Sequence, residues 1–280
     1  MRAAVVMSPG MAHHKRWCGA MAAGLERHGI DVELRTSAPG SGGDFAVCWG
    51  WRAGAELRRA GLPVLVMEAG HLPNRLEWAS CGWNGLGRHG TYPRAQDRGE
   101  RWERHWGHCV KPWRVSGGYT LVLGQCVGDA ALAGLRLPYN LWLEALVEEL
   151  VALGHRVMFR PHPLARGSFC PGKAERAGVH SLVSDLSGAG MAVTHNSTAA
   201  VEAVLYGVPT VTLDEGAMAW PVSTHDVAFP VEYPDRAAWC TDLAWSQFTE
   251  NEVESGAAWD NIWHAMPTSN GTELRSMNYG

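Results

Sequence analysis

No apolar run in this chain approaches ~20 residues, the length a membrane-spanning helix requires, and the sequence opens directly into a strand pattern, without a secretory leader. A membrane span is excluded on that pattern, and the expected location is the cytoplasm. Net charge is also small, −4 with a pI near 6.3, so the chain has no overall basic field for nucleic acid and any such contact would need a local patch. Seven cysteines, an odd number without regular spacing, read as thiols in a reducing compartment and exclude a disulfide framework. No internal repeat of 20–50 residues is present. His105-x-x-His108-Cys109 could supply three zinc ligands, but no partner cluster with matching spacing accompanies it.

What the chain does have is 46% hydrophobic residues over 280 positions, enough for one large domain or two of ordinary size. It also has 14 Trp, most of them expected in cores or interfaces. Arg2 to Met7 reads as a buried parallel strand ending at Ser8-Pro9-Gly10. A helix follows from His13 to about His28, then strands at Asp31 to Arg35 and Phe45 to Trp49, with an Ala38 to Gly43 loop between them. A short helix over Ala53 to Ala60 leads to a strand at Pro63 to Glu68. From Ala69 to Gly118 the alternation lapses. It restarts with a strand at Tyr119 to Leu123, a helix from Pro138 to Leu153, a strand at His155 to Phe159 and a short helix near Ser184. Helices over Asp235 to Gln247 and Glu250 to His264 close the chain. Strands alternating with helices predict an α/β fold of two Rossmann-like domains facing across a cleft. Residues 1–115 form the first domain, with a Trp/Arg-rich connector. Residues 116–266 form the second together with return helices that brace the first domain, and residues 267–280 form a disordered tail.

The most informative stretch is Met191 to Leu213, MAVTHNSTAAVEAVLYGVPTVTL. It reads strand, turn, helix, strand, with Asn196 or Ser197 as helix N-cap, Gly207 past the helix end and Pro209 blocking further helix. A helix starting directly after a strand aims its N–H groups and positive dipole end at the strand's carboxyl edge, where a phosphate or diphosphate belongs. Simple capping by Asn196, Ser197 and Thr198 explains the same residues equally well. Two other strand ends carry polar groups: Gly124 and Gln125 after the first strand of this half, and Arg160 to Pro163 (RPHP) after the second. Arg160 can hold a phosphate bidentately, and His162 sits between two prolines that stiffen its turn. Arg160 paired to a carboxylate is the structural alternative.

RPHP followed by HNSTAAVEAVLYGVPTV, in a half that begins LVLGQ, resembles the donor domain of GT-B glycosyltransferases of the capsule-polysaccharide and teichoic-acid type, with relatives in bacteriophages that decorate DNA bases. The resemblance covers about Tyr119 to Leu213 and is weaker over WGWR and VLVMEAG in the first half. It implies a nucleotide-sugar as co-substrate, with no further cofactor, in a bacterial or phage-infected cell. His195, Asn196, Ser197 and Thr198 would meet the diphosphate, Glu202 the ribose hydroxyls, and Arg160 and His162 the phosphate or sugar. Position alone also suits Glu202 to a diol, because it lies just beyond the phosphate-binding helix end. An exposed helix carboxylate is the plain alternative. No Asp-x-Asp occurs, so a metal bridging the diphosphate is not expected, and Thr194 stands where a second glutamate of a retaining pair would come close. An inverting, metal-independent transfer is the expectation.

The acceptor side falls to the first half. Gly10, His13, His14, Lys15 and Arg16 follow the first strand, and a histidine there suits a base that deprotonates an acceptor hydroxyl. Glu68, ending the fourth strand, is the rival base. The segment Arg98 to Arg114 interleaves Arg98, Arg101, Arg104, Lys111 and Arg114 with Trp102, Trp106 and Trp113, either as a packed connector or as a polyanion contact. The acceptor is accordingly a hydroxymethylated pyrimidine in phage DNA or a surface polysaccharide. The rival functions are a nucleotide-sugar epimerase and a non-catalytic nucleotide-sugar or nucleic-acid binding protein.

Overall fold

The computed structural model describes residues 1–8, 10–37, 43–165, 169–178 and 180–267. The chain divides into two compact units, one formed by Met1–His105 with the segment from Ala237 on, the other by Trp106–Arg236. The division falls at Trp106 where the composition shift suggested Ser116. The closing segment packs with the first unit, because its strand and helices complete that unit's sheet and core. Pro9, most of the Ala38 to Gly43 loop and the tail beyond Pro267 lie outside the described residues.

The first unit runs β1 (Arg2–Val6), α1 (Ala12–Arg27), β2 (Asp31–Arg35), β3 (Phe45–Trp49), α2 (Trp51–Arg59), β4 (Val64–Ala69), β5 (Trp78–Trp83) and α3 (Glu100–Trp106), the last reaching the division point. The second contains β6 (Tyr119–Leu123), α4 (Tyr139–Ala152), β7 (Val157–Arg160), β8 (Glu175–Arg176), α5 (Leu182–Gly188), β9 (Ala189–Thr194), α6 (Ala199–Leu205) and β10 (Thr210–Thr212). The chain then returns to the first unit as α7 (Ala237–Trp245), β11 (Gln247–Thr249), α8 (Glu250–Glu254) and α9 (Trp259–Ile262).

Sheet order in the first unit is β11-β5-β4-β3-β1-β2, parallel except for β5, which pairs antiparallel with both β4 and β11. The second sheet, β10-β9-β6-β7-β8, is parallel throughout. Both are doubly wound, since each sheet buries apolar side chains on both faces. In the first unit, α1 and the return helices cover one face with Trp17, Met21, Leu25, Val253, Trp259 and Ile262, and α2 covers the other through Leu57. In the second, α4 contributes Leu143, Leu146 and Leu150 to one face, while Leu186 of α5 and Ala203 of α6 close the other.

Two elements depart from the sequence pattern for physical reasons. β5 lies in the stretch where alternation seemed to lapse, and all six of its residues (WASCGW) are buried. A strand with both faces covered carries no apolar-polar alternation to detect. The expected helix from Glu250 to His264 breaks at Gly256, which adopts φ +87° and separates α8 from α9. Close packing fixes the pair α1 and α8: a Cβ on Gly24 would stand 2.1 Å from the carbonyl oxygen of Val253.

Candidate functional site

Parallel sheets bind ligands outside the carboxyl ends of their strands. In the second unit those ends belong to β6, β7, β9 and β10. At the end of β6, Gly124 donates its N–H to Arg160 O at 2.8 Å, and a Cβ there would meet the Phe159 ring at 2.9 Å, so Gly124 is needed for strand packing. Gln125 follows, buried, with its backbone N–H on Tyr139 Oη at 2.8 Å. Its carboxamide pairs reciprocally with Asn196 at the end of β9: Gln125 Nε2 donates to Asn196 Oδ1 at 2.8 Å, and Asn196 N donates to Gln125 Oε1 at 3.2 Å. Asn196 Nδ2 in turn donates to Ala131 O at 2.7 Å and to Asp214 Oδ1 at 3.0 Å. Asp214 also accepts from Gly216 N at 2.9 Å. Three strand ends are therefore tied together through one side chain.

The turn from β9 into α6 is longer than the sequence suggested, running through Thr198 where Asn196 or Ser197 was expected to cap the helix. α6 begins at Ala199 with Thr198 at its N-cap and no side-chain cap bond. Ser197 serves the turn, its Oγ accepting from Ala199 N at 3.3 Å and its carbonyl from Ala200 N at 3.0 Å, while Val201 N donates to Thr198 O at 2.9 Å. An anion at this end would share donors that already have local acceptors. Glu202 lies half-buried in the first turn of α6. His195 is buried with its ring edge-on to Trp142 at 5.3 Å. Burial holds its imidazole below the ordinary value, against the opposing carboxylate of Asp214, so it is neutral near pH 7.

At the end of β7, Arg160 takes the structural alternative. Its Nη1 is paired with Asp185 of α5 and donates to His180 O at 3.0 Å, with both charged side chains largely buried. The guanidinium's charge is thus met by a protein carboxylate. His162 stays at the edge, where its Nδ1 accepts from Leu164 N at 3.2 Å and lies 3.0 Å from Cys126 Sγ. A ring nitrogen that accepts a backbone N–H is unprotonated, so the proton of the neutral ring is on Nε2. Asp214, Tyr139, Trp142 and Cys126 were not singled out by the sequence. Asp214 was reachable, because it follows the strand TVTL as directly as His195 follows MAVT.

In the first unit the carboxyl edge of β1, β3 and β4 brings other expected residues near one another. Ser8 N donates to His14 Nδ1 at 3.3 Å. The His13 and His14 rings stand 4.6 Å apart, and 5.4 and 6.3 Å from Trp49, which ends β3 and stacks on Trp17. Burial, then the neighbouring His13, lowers the pKa of His14. Glu68 is half-buried in β4, its Oε1 4.0 Å from where a Cβ on Gly50 would sit, so it shares this edge. Gly10 and Lys15 are exposed. Arg16 instead binds the return segment, with Nε 2.7 Å from Glu250 Oε2. His71, just past β4, is buried and pushed down to about 3, which removes it as a titrating base near neutrality.

The Trp/Arg-rich segment resolves toward packing. Arg101 is enclosed by the rings of Trp78, Trp245 and Phe248 and paired with Glu252. Lys111 Nζ sits 3.4 Å from the Tyr206 ring centroid, and Arg114 Nη1 donates to three carbonyls at the end of α5. Trp102 and Trp106 are buried. His105 packs edge-on to Trp78, His108 contacts Cys109 at 3.5 Å, and no group of three potential metal ligands occurs among the described residues.

No family model matches the sequence, and no curated protein matches it. Among solved structures, the chain is similar to the β-Kdo 2,7 transferase of Thermosulfurimonas dismutans KpsC, with a TM-score of 0.60 at 15% identity, covering 92% of this chain and 98% of that one. It is also similar to the β-Kdo 2,4 transferase of the same KpsC, with a TM-score of 0.53 at 13% identity over 86% and 89% of the two chains. The fold is that of GT-B glycosyltransferases.

Proposed function

We propose that this chain is a glycosyltransferase that takes a nucleotide-activated sugar at the carboxyl edge of the second unit and passes the sugar to an acceptor hydroxyl. The observation that carries the reading is the convergence of Gln125, His162, Asn196, Ser197 and Asp214 on four adjacent strand ends of a doubly wound sheet, in a GT-B fold. On this reading the diphosphate lies over the turn at Ser197 and Thr198, the Nε2–H of His162 reaches a phosphate or sugar oxygen, and Glu202 accepts from the ribose diol. Neutral donors in a half-buried site stabilise the leaving diphosphate, and the transfer is metal-independent. Inversion needs one base, for which His14 and Glu68 on the first unit's edge are the candidates, with His13 beside them.

The acceptor we favour is a carbohydrate hydroxyl. Three of the five cations that made a DNA base attractive, Arg101, Lys111 and Arg114, are spent on rings, a carboxylate and backbone carbonyls, while Arg98 and Arg104 remain exposed. The test is calorimetry with UDP, CDP, GDP and ADP, then turnover with the matching nucleotide-sugars. Ser197→Glu places a carboxylate where the phosphates belong and should abolish binding of whichever nucleotide the parent takes. Unchanged affinity in Ser197→Glu, or no nucleotide bound by the parent, overturns the reading.

A further inference from the structure

The position of Asn196 suggests a phosphate ligand, but its side chain is occupied. Oδ1 accepts from Gln125, and Nδ2 donates both to Ala131 O and to Asp214 Oδ1, at 2.7 to 3.0 Å. Gln125 and Ala131 both belong to the segment after β6, and Asp214 to the turn after β10. Ala131 lies in the short 3-10 turn after β6, which Asp129 caps by accepting Ala131 N at 3.1 Å. Asp214 opens the turn after β10, where it also holds Gly216 N. Both Nδ2 hydrogens are used, so the carboxamide has no third N–H to offer a diphosphate.

We infer that Asn196 is a positioning residue that fixes the Gln125–Leu132 turn and the Leu213–Gly216 turn against the β9–α6 turn, and so sets the geometry in which the donor nucleotide is held. The inference rests on the donor-site reading above and adds to it which residue holds the site together. Three loops joined through one carboxamide lose their mutual register when it is removed, and groups on all three then meet the nucleotide less well.

Asn196→Asp gives the sharpest test, because it keeps shape and removes both donors. The introduced carboxyl faces Asp214 and the Ala131 carbonyl. Two carboxylates in contact repel unless they share a proton, so the network reforms only as pH falls. The titratable groups against it are Asp214 across the bond and His195, which precedes it in the turn after β9, while Asp129 caps the turn that carries Ala131. Cys126 and Tyr139 stay protonated because burial raises both.

Hydrogen exchange on the nucleotide-free protein is measured first. Asn196→Ala, and Asn196→Asp at pH 8, should speed exchange in peptides covering 125–133 and 213–218, with α4 unchanged as control. A residue that only touched phosphate would leave the free protein's exchange unaltered. Nucleotide affinity is measured second: Asn196→Ala should lose roughly tenfold to a hundredfold at every pH. Asn196→Asp should lose as much at pH 8 and recover toward the parent by pH 5, each value read as a ratio to the parent at the same pH. Unchanged exchange in Asn196→Ala overturns the inference, and so does faster exchange with parental affinity. A parent that binds none of the nucleotides refutes the functional reading and not the network, which the exchange measurement decides alone.

Discussion

Arg101→Met tests whether the first unit depends on the returning segment. Arg101 reaches from α3 into a cage built by that segment and β5. Nη1 and Nη2 meet Glu252 at 2.5 and 3.0 Å, Nε donates to Ala244 O at 2.8 Å, and Nη2 donates to Gln247 O at 3.0 Å. The guanidinium also lies 5.0 to 5.5 Å from the rings of Trp78, Trp245 and Phe248. Its side chain is 10% exposed and that of Glu252 28%, so both charges are well withdrawn from water. Breaking a buried pair by removing one partner costs about 3–5 kcal/mol. The partial exposure of Glu252 favours the lower half of that range, while two carbonyls left without a donor push upward, so about 4 kcal/mol is expected. For a protein of this length that is a fall of about 8–16 °C in melting temperature. Methionine keeps the stem's packing, and Arg101→Lys, which keeps charge but not the planar fork, should fall between the two.

The same pair predicts a pH signature. Burial raises the Glu252 carboxyl, but hydrogen bonds from Arg101 and Thr249 outweigh it and the net shift is downward. A carboxyl whose folded pKa is depressed contributes stability that is fully present above its ordinary value and lost as pH falls through the folded one. Urea denaturation at pH 7 and at steps from pH 5 to 3 should show the parent losing this contribution, with a shallower acid slope in Arg101→Met. A cost below about 1 kcal/mol at pH 7 with an unaltered acid slope refutes the reasoning and reopens Arg101 as a polyanion contact.

Gly24→Ala drives a methyl into the Val253 carbonyl at the α1–α8 contact and should cost about 2–3 kcal/mol by urea denaturation, with parental stability refuting the packing. If His14 is the acceptor base, it must be neutral to act, and its lowered pKa places the acid limb of kcat/KM below 6.5. His14→Ala should then lower turnover by about 10²–10⁴-fold with donor affinity unchanged, whereas loss confined to Glu68→Ala makes the carboxylate the base. Turnover should survive EDTA, and loss restored by Mg²⁺ or Mn²⁺ would reveal a metal-binding carboxylate set.

Local signals carried the parallel architecture because parallel strands buried on both faces write themselves as short apolar runs between helices. β1, β3, β4, β6 and β9 are such runs, and Gly207 at φ +78° ends α6 where a helix stop was expected. Contacts distant in sequence left no such mark. β11 has three residues and forms only because Gln247, Phe248 and Thr249 pair with Ser80, Ala79 and Trp78, some 170 positions earlier. Arg160 has the same difficulty: its partner Asp185 sits 25 residues away on a helix whose placement depends on the whole sheet.

The candidate site was legible as an address more than as a set of roles. A strand's carboxyl end must carry polar residues for two unrelated reasons, to meet a ligand and to satisfy the loops that leave the sheet, and residue type does not separate them. Gln125, Asn196 and Arg160 occupy the expected positions and spend bonds on protein. His195 is held neutral by burial. On the proposed reading, a diphosphate at this edge would be met chiefly by oriented neutral donors, and such donors act only when held still. The network through Asn196 would be what holds them. Side chains that looked like ligands in the sequence would then contribute by fixing the few that remain.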